Sequence, residues 1–170
     1  MVSKPAQVVA TIEADLTLPS SPRDLRDMLL SRFRAPPERL RVFGLEEWTA
    51  PVASGSSASE SMIICPCSTG TLAAVASGMS RSLIERAADV AIKERRQLVL
   101  VVRETPFSEI HLEHMLKLAR MGVLILPANP AFYHRPQTVE EIIDFVVARV
   151  LDHLRIPHNL VPRWGGDAKT

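Results

Sequence analysis

Cysteine is nearly absent from this chain of 170 residues, which holds two in all. Cys65 and Cys67 stand two positions apart on what reads as one strand, so both are expected on one strand face. That is a poor geometry for a disulfide, and Cys-x-Cys alone is no zinc site. Buried, reduced thiols in a cytoplasmic protein are the expectation. No apolar run approaches the roughly 20 residues of a membrane-spanning helix. The start, Met-Val-Ser-Lys-Pro-Ala, lacks the charged and apolar stretches of a secretion signal. Excess charge is missing too: the formal net charge is +1, which gives neither nucleic acid nor an anionic membrane a reason to bind. The five histidines are scattered without metal-ligand spacing, so no metal site is expected. A Gly-x-Ser-x-Gly elbow is absent, which leaves serine hydrolysis without support. No internal repeat is visible.

What remains is an ordinary globular composition, 46% hydrophobic and 23% charged, at the length of one domain that buries a real core. The 13 prolines fall at turns and in the tail over residues 156–170. Apolar periodicity then alternates between helical and strand types. Gln7 to Asp15 reads as a short helix with Val8, Val9 and Ile12 on one side. Ser21 and Pro22 suit the N-cap and first position of a second helix with Leu25, Met28 and Leu29 as its stripe. Leu40 to Phe43 is a strand candidate, and Thr49 to Ser61 a small-residue loop. Met62 to Cys65 reads as a buried strand, followed by Ser68-Thr-Gly-Thr and a helix from Leu72 to Ser77. A helix over Ser82 to Glu94, a strand over Leu98 to Val102 and a helix over Ser108 to Met121 follow. Val123 to Leu126 is the next strand, and the helix from Thr138 to about Leu154 has Thr138 and Glu141 in capping-box register.

Strands that do not alternate, separated by helices, predict a parallel sheet covered by helices: an α/β, Rossmann-like, three-layer fold. Ligands of such sheets lie at the carboxyl ends of strands. The residues there are Ser68 to Thr71, Arg103-Glu104, and Asn129 to Arg135. The first cluster is a glycine-containing turn into a helix, suited to an anion or a flavin edge or serving only as an N-cap. Arg86, Asp89 and Lys93 share one helix face opposite the apolar stripe. That face is either merely solvated or leans its two cations toward the strand-end crevice, where they suit a phosphate. Tyr133 beside His134 and Arg135 suits a phosphate oxygen or simple packing. Trp164 sits in a Pro-Arg-Trp-Gly-Gly tail, where an aromatic either folds over a site or leaves it untouched.

Several blocks resemble the UbiX-type flavin prenyltransferases. They are Ala53-Ser-Gly-Ser-Ser-Ala, Cys65-Pro-Cys-Ser-Thr-Gly-Thr-Leu, Leu83-Ile-Glu-Arg-Ala-Ala-Asp-Val-Ala-Ile-Lys-Glu-Arg-Arg, Val101-Val-Arg-Glu-Thr-Pro, Pro130-Ala-Phe-Tyr-His-Arg-Pro-Gln and Pro162-Arg-Trp. They occur in order over nearly the whole chain. The resemblance implies transfer of a dimethylallyl group from dimethylallyl phosphate to N5 and C6 of reduced flavin mononucleotide (FMN), without metal. It further implies that Ser68, Thr69, Gly70, Thr71, Arg103 and Ser3 contact FMN, with Ser54 and Gly55 near the prenyl and isoalloxazine groups. The allylic phosphate would lie on Arg86, Lys93, Glu104, Tyr133 and Arg149. Glu13, in a Thr-x-Glu-x-Asp block, would handle a proton at the flavin. Glu13, Arg86, Lys93, Glu104 and Trp164 are thus the expected catalytic positions. A UbiD-type decarboxylase would receive the prenylated flavin, in ubiquinone synthesis or related chemistry, and the enzyme would form a large homo-oligomer.

One block of the resemblance is lacking. Family members open with an apolar strand and a Gly-Ala-Ser-Gly turn that grips flavin phosphate, whereas Met1 here aligns inside their second strand. A first strand-helix unit and the start of the next strand, about 35 to 40 residues, are expected to be missing. The chain as written is then expected to bind flavin weakly and to expose apolar surface and unpaired backbone. Two alternatives stand beside the prenyltransferase reading: a flavoprotein decarboxylase acting on a peptidyl cysteine, and a truncated, inactive assembly subunit.

Overall fold

The computed structural model of the chain describes residues 1–163. Its helices are α1 (Lys4–Ala14), α2 (Pro22–Phe33), α3 (Thr69–Ala76), α4 (Leu83–Lys93), α5 (Glu109–Arg120) and α6 (Val139–His153). Its strands are β1 (Ser61–Cys67), β2 (Gln97–Val102) and β3 (Leu124–Ile125). Each helix begins at a Ser or Thr: Ser3, Ser21, Ser68, Ser82, Ser108 and Thr138. In every case the hydroxyl oxygen accepts a backbone N–H three residues on, which satisfies a donor that has no partner inside the helix. The expected capping box at α6 is displaced by one residue. Thr138 accepts from Glu141, but the Glu141 carboxylate accepts from the amide of Gln137 rather than Thr138.

The sheet is parallel in the order β1-β2-β3. Leu98, Leu100 and Val102 of β2 face one cluster, built with Leu72, Val75, Ala88, Ala91 and Leu118 from α3, α4 and α5. Val99 and Val101 face the other, with Val146 and Val150 of α6. This places helices on both faces of a strand that is buried on both, so the expected three-layer, Rossmann-like arrangement holds. Beyond Ile125 the ladder continues through Leu126, whose N–H donates to Leu100 and whose carbonyl accepts from Val102. Among the described residues nothing pairs with the outer edge of β1. Near the N-terminus, α1 buries no residue and leaves Val8, Val9 and Ile12 exposed. No described helix is long and apolar enough to cross a membrane.

Two expectations fail locally. Leu40 to Phe43 forms no strand: no neighbouring strand pairs with it among the described residues, and its first carbonyl is taken by a side chain. The Arg26 guanidinium donates to the Leu40 carbonyl at 3.0 Å, and Arg41 stacks over Phe43 at 4.9 Å. The two thiols also part company. The β1–β2 register shifts between Ile64 and Cys67, so the alternation of faces breaks there. Cys67 is fully buried while Cys65 is exposed, and both are free. Burial pushes the Cys67 thiol up to about 12, and a smaller desolvation raises Cys65 as well. A titration of the native protein with a thiol reagent at mildly alkaline pH is therefore expected to consume one equivalent, at Cys65, and the second only in denaturant. Two equivalents consumed by the native protein would show that the end of β1 opens readily.

Candidate functional site

Topology places the family-matching residues in separate groups. The first lies at the carboxyl ends of β1 and β2. Ser68 caps α3, its oxygen accepting from the Thr71 amide at 3.2 Å while its proton goes to the Thr71 hydroxyl at 3.1 Å. That leaves the Thr71 hydroxyl proton available to an outside acceptor. A side chain built at Gly70 would meet only Ser68 Oγ, at 3.9 Å, so the surface in front of it is open. Across the β1–β2 seam the Arg103 amide donates to the Cys67 carbonyl at 3.3 Å, holding Arg103 and Glu104 beside the α3 turn. Thr69 reaches the Glu104 carboxylate at 3.5 Å. Hydroxyls, a helix N-terminus and an exposed arginine on an open face fit an anionic, planar ligand such as FMN.

The second group lies on the outer face of α4. Arg86 donates from Nε to the Ala53 carbonyl at 3.1 Å and pairs through Nη1 with Asp89 at 3.0 Å. Lys93 pairs with Glu94, and this hydrogen bond and the lysine charge hold the Glu94 carboxyl below its usual range. A Cβ at Gly55 would stand 2.0 Å from Glu94 Oε1 and 2.8 Å from Lys93 Nζ, so only glycine admits this approach without moving the pair. Ser54, Gly55, Arg86 and Lys93 are thus brought together. They are not brought to the expected crevice. Lys93 ends α4 just before β2 begins, whereas Arg103 and Glu104 follow its last residue. Six strand residues span about 20 Å, so Lys93 and Glu104 stand at opposite ends of the sheet within one protomer. The correction has a simple cause: a helix that returns a parallel chain runs back to the amino ends of the strands.

The third group lines an open groove of about 770 Å³ beside α6, with Tyr133, Phe145, Arg149, Asp152, His158 and Arg163 on its walls. Tyr133 meets the rings of His134 and Phe145 edge-on, at 5.5 and 5.9 Å. Arg149 pairs with Asp152 at 2.8 Å, and His158 lies 3.1 Å from the other oxygen of the same carboxylate. The hydrogen bond to His158, and then the charges of Arg149 and Arg163, hold the Asp152 carboxyl below its usual range. Its contribution to the folded state is present above the ordinary carboxylate range and is lost only as the pH falls through the lowered value. The i,i+3 spacing of Arg149 and Asp152 is visible in the sequence, but the approach of His158 from beyond the helix is not.

Two expected residues stand apart. Ser3 caps α1 with its oxygen accepting from Ala6 at 3.2 Å, and Glu13 is exposed on the last turn of that helix. Trp164 lies outside the described residues.

Comparison with known proteins decides the family. The family described as Flavoprotein matches residues 2–151. The flavin prenyltransferase UbiX of Pseudomonas aeruginosa is 58% identical over 165 residues, covering 97% of this chain and 79% of the relative. The chain belongs to the UbiX-type flavin prenyltransferases, which are transferases. Among solved members, a UbiX in complex with FMN and dimethylallyl pyrophosphate is 42% identical, with a TM-score of 0.83 over 96% of this chain and 80% of that one. A dodecameric FMN-dependent UbiX-like decarboxylase from Escherichia coli O157:H7 is 43% identical, with a TM-score of 0.81 over 96% and 81%. The UbiX-type fold therefore accounts for the parallel sheet and for the layers around it.

Proposed function

We propose that this protein transfers a dimethylallyl group from dimethylallyl phosphate to reduced FMN and passes the prenylated flavin to a UbiD-type decarboxylase. The reading rests on the open, hydroxyl-rich N-terminus of α3 held beside Arg103 and Glu104 at the carboxyl end of the sheet. Ser68, Thr69, Gly70, Thr71 and Arg103 would bind FMN there, and Ser3, which stands apart from them, is assigned to the flavin by family resemblance alone. Bound flavin supplies the nucleophilic N5 and C6. Arg86, Lys93 and Arg149 would draw the departing phosphate by charge, with Tyr133 donating a phenol hydrogen bond and Glu104 orienting the group. Glu13 and Trp164 are assigned by family resemblance to proton handling and to shelter over the reacting carbons.

Because the phosphate-binding set is divided between the two ends of β2, a complete site takes residues from more than one copy of the chain. A homo-oligomer is then part of the mechanism, in keeping with the dodecameric solved relative. Ubiquinone synthesis is one context for such a product.

Anaerobic incubation of the purified chain with reduced FMN and dimethylallyl phosphate is the direct test, read by chromatography and mass spectrometry. A flavin heavier by one five-carbon unit is expected, and Arg149→Ala is expected to raise KM for the phosphate about tenfold. Turnover of a C-terminal cysteine peptide without any prenylated flavin would favour the decarboxylase alternative instead.

A further inference from the structure

The last turn of α6 ends in a carboxylate whose two oxygens serve different parts of the chain. Asp152 Oδ2 takes Nη1 of Arg149, one helical turn back, at 2.8 Å. Asp152 Oδ1 faces Nε2 of His158 at 3.1 Å. His158 is not on the helix. It follows the turn at Arg155, where φ is +58° and the chain leaves α6 to run alongside it. The Leu160 amide donates to His158 Nδ1 over 3.4 Å. With Nδ1 occupied by that N–H, Nε2 is the ring nitrogen left to meet the carboxylate. His158 is largely covered, with 14% of its side chain exposed, although it lies in an irregular terminal segment. Arg163, further along that segment, adds a further, weaker positive charge felt by Asp152.

We propose that Asp152 is a positioning residue: it fixes the Arg149 guanidinium at the groove wall and, through His158, pins residues 156–163 along the same groove. The inference rests on the reading of Arg149 and Tyr133 as holders of the allylic phosphate. A guanidinium has five N–H donors in a fixed fork, and the carboxylate engages Nη1, which leaves the other donors for an anion. An exposed ion pair of this kind adds little to stability by itself. Its value is orientation: a long, rotatable side chain is held in place before the anion arrives. Phe145, on the same face of α6, and Tyr133 also line the groove.

Hydrogen exchange followed by mass spectrometry, together with steady-state kinetics on the full chain, tests this. In Asp152→Ala, amide exchange over residues 156–163 is expected to rise about tenfold, with KM for dimethylallyl phosphate up about tenfold and kcat within about twofold. In His158→Ala the exchange is expected to rise to a similar extent with a smaller rise in KM, since the Arg149 contact persists. His158→Gln, whose amide reaches the same oxygen, is expected to restore both. Wild-type exchange in Asp152→Ala would overturn the clasp. A lower KM in that variant would overturn it also, because the carboxylate would then compete with the phosphate. If the unmutated protein forms no prenylated flavin, the functional reading fails, and the exchange comparison still decides the clasp.

Discussion

Lys93→Ala and Glu104→Ala proteins, each strongly impaired alone, are expected to recover prenyl transfer when their subunits are allowed to mix. On the proposed reading, Lys93 draws the departing phosphate and Glu104 orients it, so for each substitution a loss of about a hundredfold is expected. The recovery follows from placement. Lys93 closes α4 at the amino end of the sheet, and Glu104 follows β2 at the carboxyl end. The intervening strand spans about 20 Å, far beyond the reach of one phosphate. If one phosphate meets both residues, they belong to different copies of the chain. Random exchange then leaves about one site in four with both residues intact, so roughly a quarter of the unmutated rate is expected. Co-expressed and reassembled mixtures, assayed against each variant alone, check this. A mixture no more active than its components would mean that Lys93 and Glu104 do not share a site.

Leu100→Ala is expected to destabilise the protein by about 3 kcal/mol, among the largest effects of any single core truncation. Leu100 is fully buried in the central strand, in register with Ile64 on one side and Ile125 on the other. Its side chain packs in the cluster that α3, α4 and α5 cover. Removing it leaves a cavity that the surrounding parallel strands cannot close by a local shift, since each is tied to the next by backbone hydrogen bonds. Denaturant unfolding checks the value: the midpoint falls and the slope is unchanged. A change below about 1 kcal/mol would mean that the core relaxes around the gap far more than its burial implies. Because β1 and β2 carry Ser68 and Arg103 at their ends, the same substitution is expected to weaken flavin binding as well.

Other sites show where local reasoning ends. The short element over residues 40–43 has the β-branched and aromatic residues of a strand, yet a strand requires a partner edge, and Arg26 takes the Leu40 carbonyl instead. The thiols of β1 read as one face until the register shift after Ile64 turns Cys65 outward. Glu141 has the spacing of a capping box but reaches one amide further out.

The residue pattern by itself determined the main helices, the buried parallel strands, the three-layer fold and the family. These depend on interactions within a few positions of chain, or on blocks of residues that keep their order whatever the packing. Only the tertiary structure decided how the charged residues are distributed: Arg86 and Lys93 against the 51–57 loop, Glu104 beside Thr69, Arg149 on Asp152 with His158. The physical reason is that a charge on a solvated helix face carries no mark of which segment will lie opposite it. That is settled by where the returning helix sets down along the sheet, and by which chain end packs against it.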